Sequence, residues 1–153
     1  MPCLPSPLHR TCAAALLLAA SAAAQADVCR VTPTGAGDGS TWPQASALQA
    51  ALGRAECSEI WVAQGVYTPV VPLDPANVTT AERSVSFTIR PGQQVYGGFA
   101  GGETTRAARD FATRRSVLSG DIDSDGTSAD GIDASVDAAH NANNSYHVVW
   151  VDG

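Results

Sequence analysis

The chain has 153 residues, 15 acidic and 9 basic, and carries a formal net charge of −6 with no lysine at all. That balance repels phosphate backbones, and the arginines are scattered rather than gathered on one expected face, which argues against nucleic-acid binding. The length allows a single domain with a sizeable core.

The N-terminus reads as separate from that domain. Residues 1–10 have Arg10 as their only basic side chain, residues 11–24 are almost wholly Ala and Leu, and Ala24-Gln25-Ala26 places small residues on both sides of Gln25. This order predicts an export signal cleaved after Ala26, so that 1–26 is the signal peptide and 27–153 the domain. The apolar run is short for a bilayer span, and no later segment approaches spanning length, so no transmembrane segment is expected in the mature chain. Cleavage leaves 127 residues, with 15 acidic and 8 basic side chains and hence a net charge of −7. Cys3 and Cys12 leave with the signal. Cys29 and Cys57 remain, in a compartment that permits oxidation, and are expected to pair as a disulfide. Two buried thiols, or pairing with chain beyond residue 153, are the alternatives. Neither Cys has a local base, which disfavours a nucleophilic role.

Residues 28–32 alternate apolar and polar side chains as a short strand does, until Pro33 and the turn-rich TGAGDGS loop. Thr41-Trp42-Pro43-Gln44 has the spacing of a capping box, with Thr41 and Gln44 exchanging side-chain bonds to each other's amides. A helix is expected from there to about Arg54, because Ala45, Leu48, Ala51, Leu52 and Ala55 fall on one stripe. Its small side chains predict a close, flat packing surface. Residues 59–64 form the clearest early strand, apolar on both faces, and Gly65-Val66-Tyr67 turns out of it. Residues 68–84 read as an exposed loop. Strands are expected at 85–89 and 95–99, on either side of Pro91-Gly92. A charged excursion with one helical turn follows at 104–115, then a strand at 117–120. Residues 121–144 form a polar insertion, and a last apolar run spans 146–151. Brief strands separated by tight turns, with insertions leaving at the corners, are the organisation of a parallel β-helix, whose last coil needs a partner. Further β-helix coils in the same longer chain are therefore expected.

Several blocks occur in one order: DGSTW at 38–42, LQAAL at 48–52, EIWVAQGVY at 59–67, YGGFAGGET at 96–104, LSGDI at 118–122 and NSYHVV at 144–149. Over residues 30–153 they resemble the N-terminal part of secreted bacterial right-handed parallel β-helix proteins of the pectin-lyase-like class. The resemblance implies an all-β fold, the N-terminal portion of a right-handed parallel β-helix, with the early α-helix capping the first coil. It does not choose a function, since polysaccharide lyases, glycoside hydrolases and noncatalytic adhesin-like proteins share that fold.

The sharpest chemical cluster is Asp121, Asp123 and Asp125, followed by Gly126, Asp130 and Asp133. Alternating carboxylates offer hard oxygen ligands, so these three aspartates are the candidate Ca²⁺ ligands and Ca²⁺ the one candidate cofactor. An EF-hand is disfavoured, because Ile132 stands at the twelfth loop position and flanking helices are not expected. A solvated acidic loop is the competing reading. The same aspartates as a glycosidase pair would need fixed separation and divergent protonation, which a wet, mutually repelling loop does not provide. His140 lies in a polar loop and His147 shares the parity of Val149 and Val151, so neither reads as a general base. Trp42, Trp61, Trp150 and the tyrosines are candidates for sugar stacking, with core or cap packing as the default. Arg106, Arg109, Arg114 and Arg115 either face an acidic polysaccharide or pair with Glu103 and Asp110.

The sequence reading is an exported, noncatalytic surface scaffold or adhesin-like β-helix protein, secreted or held at a bacterial cell surface, with an extracellular glycan or cell-surface partner. A polysaccharide lyase or glycoside hydrolase whose active face lies beyond residue 153 is the alternative. No catalytic residue is assigned.

Overall fold

The structure, a computed structural model, describes residues 27–69, 79–124 and 142–153. The expected export signal at 1–26 and the candidate ligand Asp125 lie outside these segments.

Strands dominate, and every strand pair is parallel. Strand β1 (Asp27–Val31), β2 (Cys57–Ala63) and β5 (Gln94–Phe99) form one sheet in that order. Strand β3 (Gly65–Tyr67) pairs with β6 (Ser116–Leu118), and β4 (Phe87–Ile89) with β7 (Val149–Val151). The triplet β2–β3–β4 is thus matched, strand by strand, by the triplet β5–β6–β7. Gly65 takes part in this stacking with φ +138, where a side chain would meet Pro33 at 2.4 Å, so the corner between β2 and β3 requires glycine.

The inward faces supply the core. Cys29 and Val31 of β1 lie beside Ile60 and Val62 of β2 in register, and Tyr67 and Phe87 complete the cluster from the next two strands. Helix α1 (Leu48–Leu52) closes it with Leu48, Ala51 and Leu52, all buried, and packs on β1, β2 and β4. Of the stripe expected from the sequence, Leu48, Ala51 and Leu52 cover the strands from the helix, while Ala45 lies in the extended stretch before it and Ala55 is exposed after it. Cys29 and Cys57 form a disulfide with a Cα–Cα distance of 5.4 Å, joining the edge strand β1 to the first residue of the central strand β2. Among the described residues, no helix is long and apolar enough to cross a membrane.

The long helix expected from Thr41 to Arg54 does not form as one piece, and its capping box is absent. A 3-10 turn covers Trp42–Gln44, and Thr41 makes no side-chain cap; its carbonyl instead accepts the Gln44 amide at 3.1 Å. Tertiary pairing overrides helix pattern here. The Ser46 amide donates to Arg30 C=O at 2.9 Å, and the Thr32 amide donates to Ser46 C=O at 3.3 Å, so residues 45–47 are drawn out beside β1. Ala45 and Ala47 accordingly have ψ of 144° and 147°. A capping box does occur elsewhere, at the start of α2 (Thr80–Arg83), inside the stretch read as an exposed loop. Thr79 Oγ accepts the Glu82 amide at 3.3 Å, and Glu82 accepts the Thr79 amide at 2.6 Å. Gly65-Val66-Tyr67, read as a turn, is strand β3.

A side-chain clip secures α1 from below. Gln93, just after the Pro91-Gly92 turn, donates from Nε2 toward the carbonyls of Leu52, Arg54 and Cys57 at 3.1–3.3 Å. Its Oε1 accepts the Arg90 amide at 3.0 Å. The clip thus ties the last residue of α1 to the turn after it and to the first residue of β2.

Candidate functional site

The outward face of the first sheet carries a second aromatic layer. Arg30 of β1 stands opposite Trp61 of β2, and Trp61 opposite Tyr96 of β5, so one residue from each strand falls in a single row. The side-chain period of two puts these residues on the face opposite Ile60 and Val62. The Arg30 guanidinium lies 5.4 Å from the Trp61 ring centroid, and Trp61 stacks on Phe99 at 4.8 Å with 7° between planes. Trp42 joins at 5.8 Å from Phe99. Trp61 and Phe99 are buried although they point away from the main core.

Polar groups lock this row. Trp61 Nε1 donates to Glu59 Oε1 at 2.7 Å, and Arg106 sits 3.7 Å from the other Glu59 oxygen. Arg106 also donates to the Tyr96 hydroxyl at 3.0 Å and lies 4.8 Å over its ring. Arg109 approaches the same ring at 5.0 Å and the Phe111 ring at 5.8 Å. Contacts of this kind are worth about 0.5–1 kcal/mol each where exposed, so they orient the arginines more than they hold the fold.

The segment 100–115 covers the aromatic layer, and Glu103 is its anchor. Its carboxylate accepts the amides of Ala100 at 2.6 Å and of Gly101 and Gly102 at 3.0 Å, and pairs with Arg114 at 2.8 Å. Burial works against ionisation, but these backbone donors outweigh it and hold the Glu103 carboxyl down at about 2. Trp42 Nε1 donates to the Glu103 carbonyl at 2.8 Å, tying the cover to the 3-10 turn. Further along, Asp110 accepts the Ala112 and Thr113 amides and the Thr113 hydroxyl. The hydroxyl bond, then the amide bonds, hold its carboxyl below the ordinary range. The Asp110 amide donates to Gly98 C=O at 2.7 Å, and Gly98 (φ +94) has no room for a side chain, since a Cβ would fall 2.8 Å from the Phe111 nitrogen.

The structure sorts the sequence candidates. Arg114 pairs with Glu103 as one reading expected, while Arg106 pairs with Glu59 instead. Trp42 and Trp61 are packing residues. Trp150 is 55% exposed on β7, with the His147 ring 6.1 Å away. Asp121 and Asp123 lie after β6, where Asp123 accepts the Asn143 side-chain amide at 3.1 Å. Among the described residues no three His, Cys, Asp or Glu side chains are grouped to hold a metal. His140 lies outside the described residues. Sequence reasoning missed Arg30 and Phe111 as members of this surface. Strand register carries the first and a turn of the cover the second, and neither shows in local sequence pattern.

Compared with family models, curated proteins and solved structures, the chain matches none.

Proposed function

We propose that residues 27–153 are the cap and first coils of a right-handed parallel β-helix, belonging to an exported, noncatalytic surface scaffold that contacts carbohydrate through the outward face of its first sheet. The observation that carries this reading is the strand-by-strand parallel match of β2–β3–β4 with β5–β6–β7 beneath a helical cover. Such stacking is how a solenoid gives each coil its partner. The disulfide supports an oxidising, extracytoplasmic compartment, in keeping with the signal-like residues 1–26. Val149 and Val151 stand in register with Phe87 and Ile89 of the coil before, yet are exposed, and the outer edge of β7 is unpaired among the described residues.

The carbohydrate reading rests on the part of this face that stays open, the half-buried Tyr96 ring with Arg106 and Arg109 over it. Amphipathic rings flanked by guanidinium donors suit sugar faces and hydroxyls. Incubating the exported protein with immobilised neutral and anionic glycans, while following both retention and release of reducing or unsaturated ends, tests it. Retention without products is expected. Glycan-dependent cleavage would overturn the noncatalytic assignment, and absence of retention would overturn glycan contact.

A further inference from the structure

The nine basic residues of the chain are all arginines, and four of them, Arg106, Arg109, Arg114 and Arg115, fall within the ten residues 106–115 of the cover. With Glu103 and Asp110 the stretch 103–115 holds four positive and two negative side chains, a local +2 on a chain whose net charge is −6. Both carboxylates are occupied, Glu103 by backbone amides and Arg114, Asp110 by the amides and hydroxyl of its own turn. Arg106 shares Glu59 at 3.7 Å and stays half exposed. The guanidinium groups of Arg109 and Arg115 make no hydrogen bond or ion pair among the described residues; Arg109 rests only on the Tyr96 and Phe111 rings. Besides Arg106 and Arg115, the exposed positions of 104–115 are Phe111, threonines and alanines. This patch therefore offers solvent cations and apolar groups, with both of its carboxylates already engaged.

Phe111 is 74% exposed, the most exposed large apolar side chain described. The turn that carries it is fixed on both sides. The Asp110 amide donates to Gly98 C=O at 2.7 Å, the Arg114 amide donates to Asp110 C=O at 2.9 Å, and Gly98 leaves no room between β5 and the Phe111 backbone. The ring stands at the rim of an open groove of about 280 Å³ over Gly97 and Gly98, which leaves most of it uncovered. A ring presented in this way is buried by a surface rather than by a ligand enclosed in a pocket. Charge complementarity selects the surface. Near anionic lipid headgroups each arginine is worth about fivefold in affinity, and aromatic rings settle at headgroup depth. The overall charge of −6 does not cancel this, because at physiological salt charges more than about 8 Å away are largely screened.

We infer that the surface of 104–115 is a peripheral membrane contact, with Phe111 entering the headgroup layer of an anionic bilayer and Arg109 and Arg115 meeting the lipid phosphates. This goes beyond glycan contact and does not depend on it. The test is cosedimentation of the full chain with vesicles of phosphatidylcholine alone and of phosphatidylcholine and phosphatidylglycerol in equal parts. Wild type should bind the mixed vesicles and not the neutral ones, more weakly as salt rises. Phe111→Ala should lose about tenfold in partitioning, the scale of one ring withdrawn from the interface. The double variant Arg109→Gln/Arg115→Gln should lose about 25-fold, two arginines at fivefold each. Arg90→Gln, at the Pro91-Gly92 turn outside the patch, should bind as wild type does. Melting temperatures of all three variants should stay at the wild-type value, because none of the replaced side chains belongs to the core cluster. Phe111→Ala should also retain glycans as wild type does, which separates this contact from the glycan face. Equal binding to both vesicles would overturn the anionic-lipid assignment. Release by inorganic phosphate, at an ionic strength where chloride leaves the complex intact, would reveal a phosphate-ion site and overturn the bilayer. Unchanged binding by Phe111→Ala and by the double variant would overturn this patch as the contact. No binding to either vesicle would overturn the inference and leave the glycan reading to its own test.

Discussion

Replacing both half-cystines, Cys29→Ala with Cys57→Ala, tests the link between the compartment and the fold. The bridge spans a sequence separation of 28 and joins β1 to the first residue of β2. In the chain-entropy model, closing a loop of that length removes unfolded-state freedom worth about 3.5 kcal/mol. Both side chains are buried in the cluster that α1 covers, so their loss also removes some packing. For a domain of about this size each kcal/mol moves the midpoint by roughly 3–4 °C, which predicts a fall of about 10–15 °C. Thermal unfolding followed by circular dichroism, with and without a reductant, measures it. Reduced wild type should melt close to the double variant, and oxidised wild type well above both. Midpoints of oxidised wild type and double variant within about 2 °C would refute the reasoning. Two free thiols titrated in denatured, unreduced protein would show that the bond does not form.

Gln93→Ala should cost about 1–3 kcal/mol in urea unfolding, since the carbonyls of Leu52, Arg54 and Cys57 lose their shared donor. Gly98→Ala should destabilise by about 2 kcal/mol or more, against about 1 kcal/mol for Gly92→Ala; both have positive φ, but only Gly98 meets backbone at 2.8 Å while Gly92 faces open space. The comparison isolates the steric part, and equal losses in denaturant titrations would contradict the close packing of Phe111 on β5. Glu103, held at about 2 against an ordinary 4.5, contributes stability that is complete above about pH 4.5 and is lost as pH falls toward 2. The amount is on the order of 3 kcal/mol, and Glu103→Gln should remove it at pH 7 and match wild type near pH 2 in urea midpoints measured across that range.

What the sequence made legible follows from which forces are local. The strand at Glu59–Ala63 was readable because Ile60, Trp61, Val62 and Ala63 leave no polar face, the mark of a strand covered on both sides. The helical stripe Leu48, Ala51, Leu52 was readable for the same reason, and those three residues do meet the core. Its start was not. Thr41 and Gln44 have the right chemistry for a cap, but a non-local bond from Ser46 to Arg30 pulls the backbone into an extended course, and no window of sequence contains both partners. Gly65-Val66-Tyr67 was read as a turn because glycine opens it; only the parallel partner at Ser116–Leu118 makes it a strand. The candidate surface was the least legible part, since Arg30, Trp61 and Tyr96 meet through register across three strands. Arg114 with Glu103 was foreseeable, as the two are close in sequence and opposite in charge.

On the function proposed above, the two faces of the first sheet divide the labour between stability and contact. Inward, Ile60 and Val62 join the cluster shared with α1; outward, Trp61 and Phe99 are buried against each other and beside Trp42 and Arg30, and segment 100–115 is tied to this layer through Glu103 on Trp42 and Arg106 on Glu59. A sheet with one apolar face would have left that segment free to move, and any ligand would then have borne the cost of ordering it. Here the Glu103 network orders it in advance, drawing on the backbone amides of residues 100–102 rather than on a partner molecule. Phe111 and Arg109 therefore reach solvent from a scaffold already fixed by folding. It follows that weakening Glu103 should lower stability together with glycan and vesicle retention, whereas removing Phe111 should lower vesicle retention alone. That asymmetry is the signature of a surface whose shape is set by the fold and whose contacts are not needed by it.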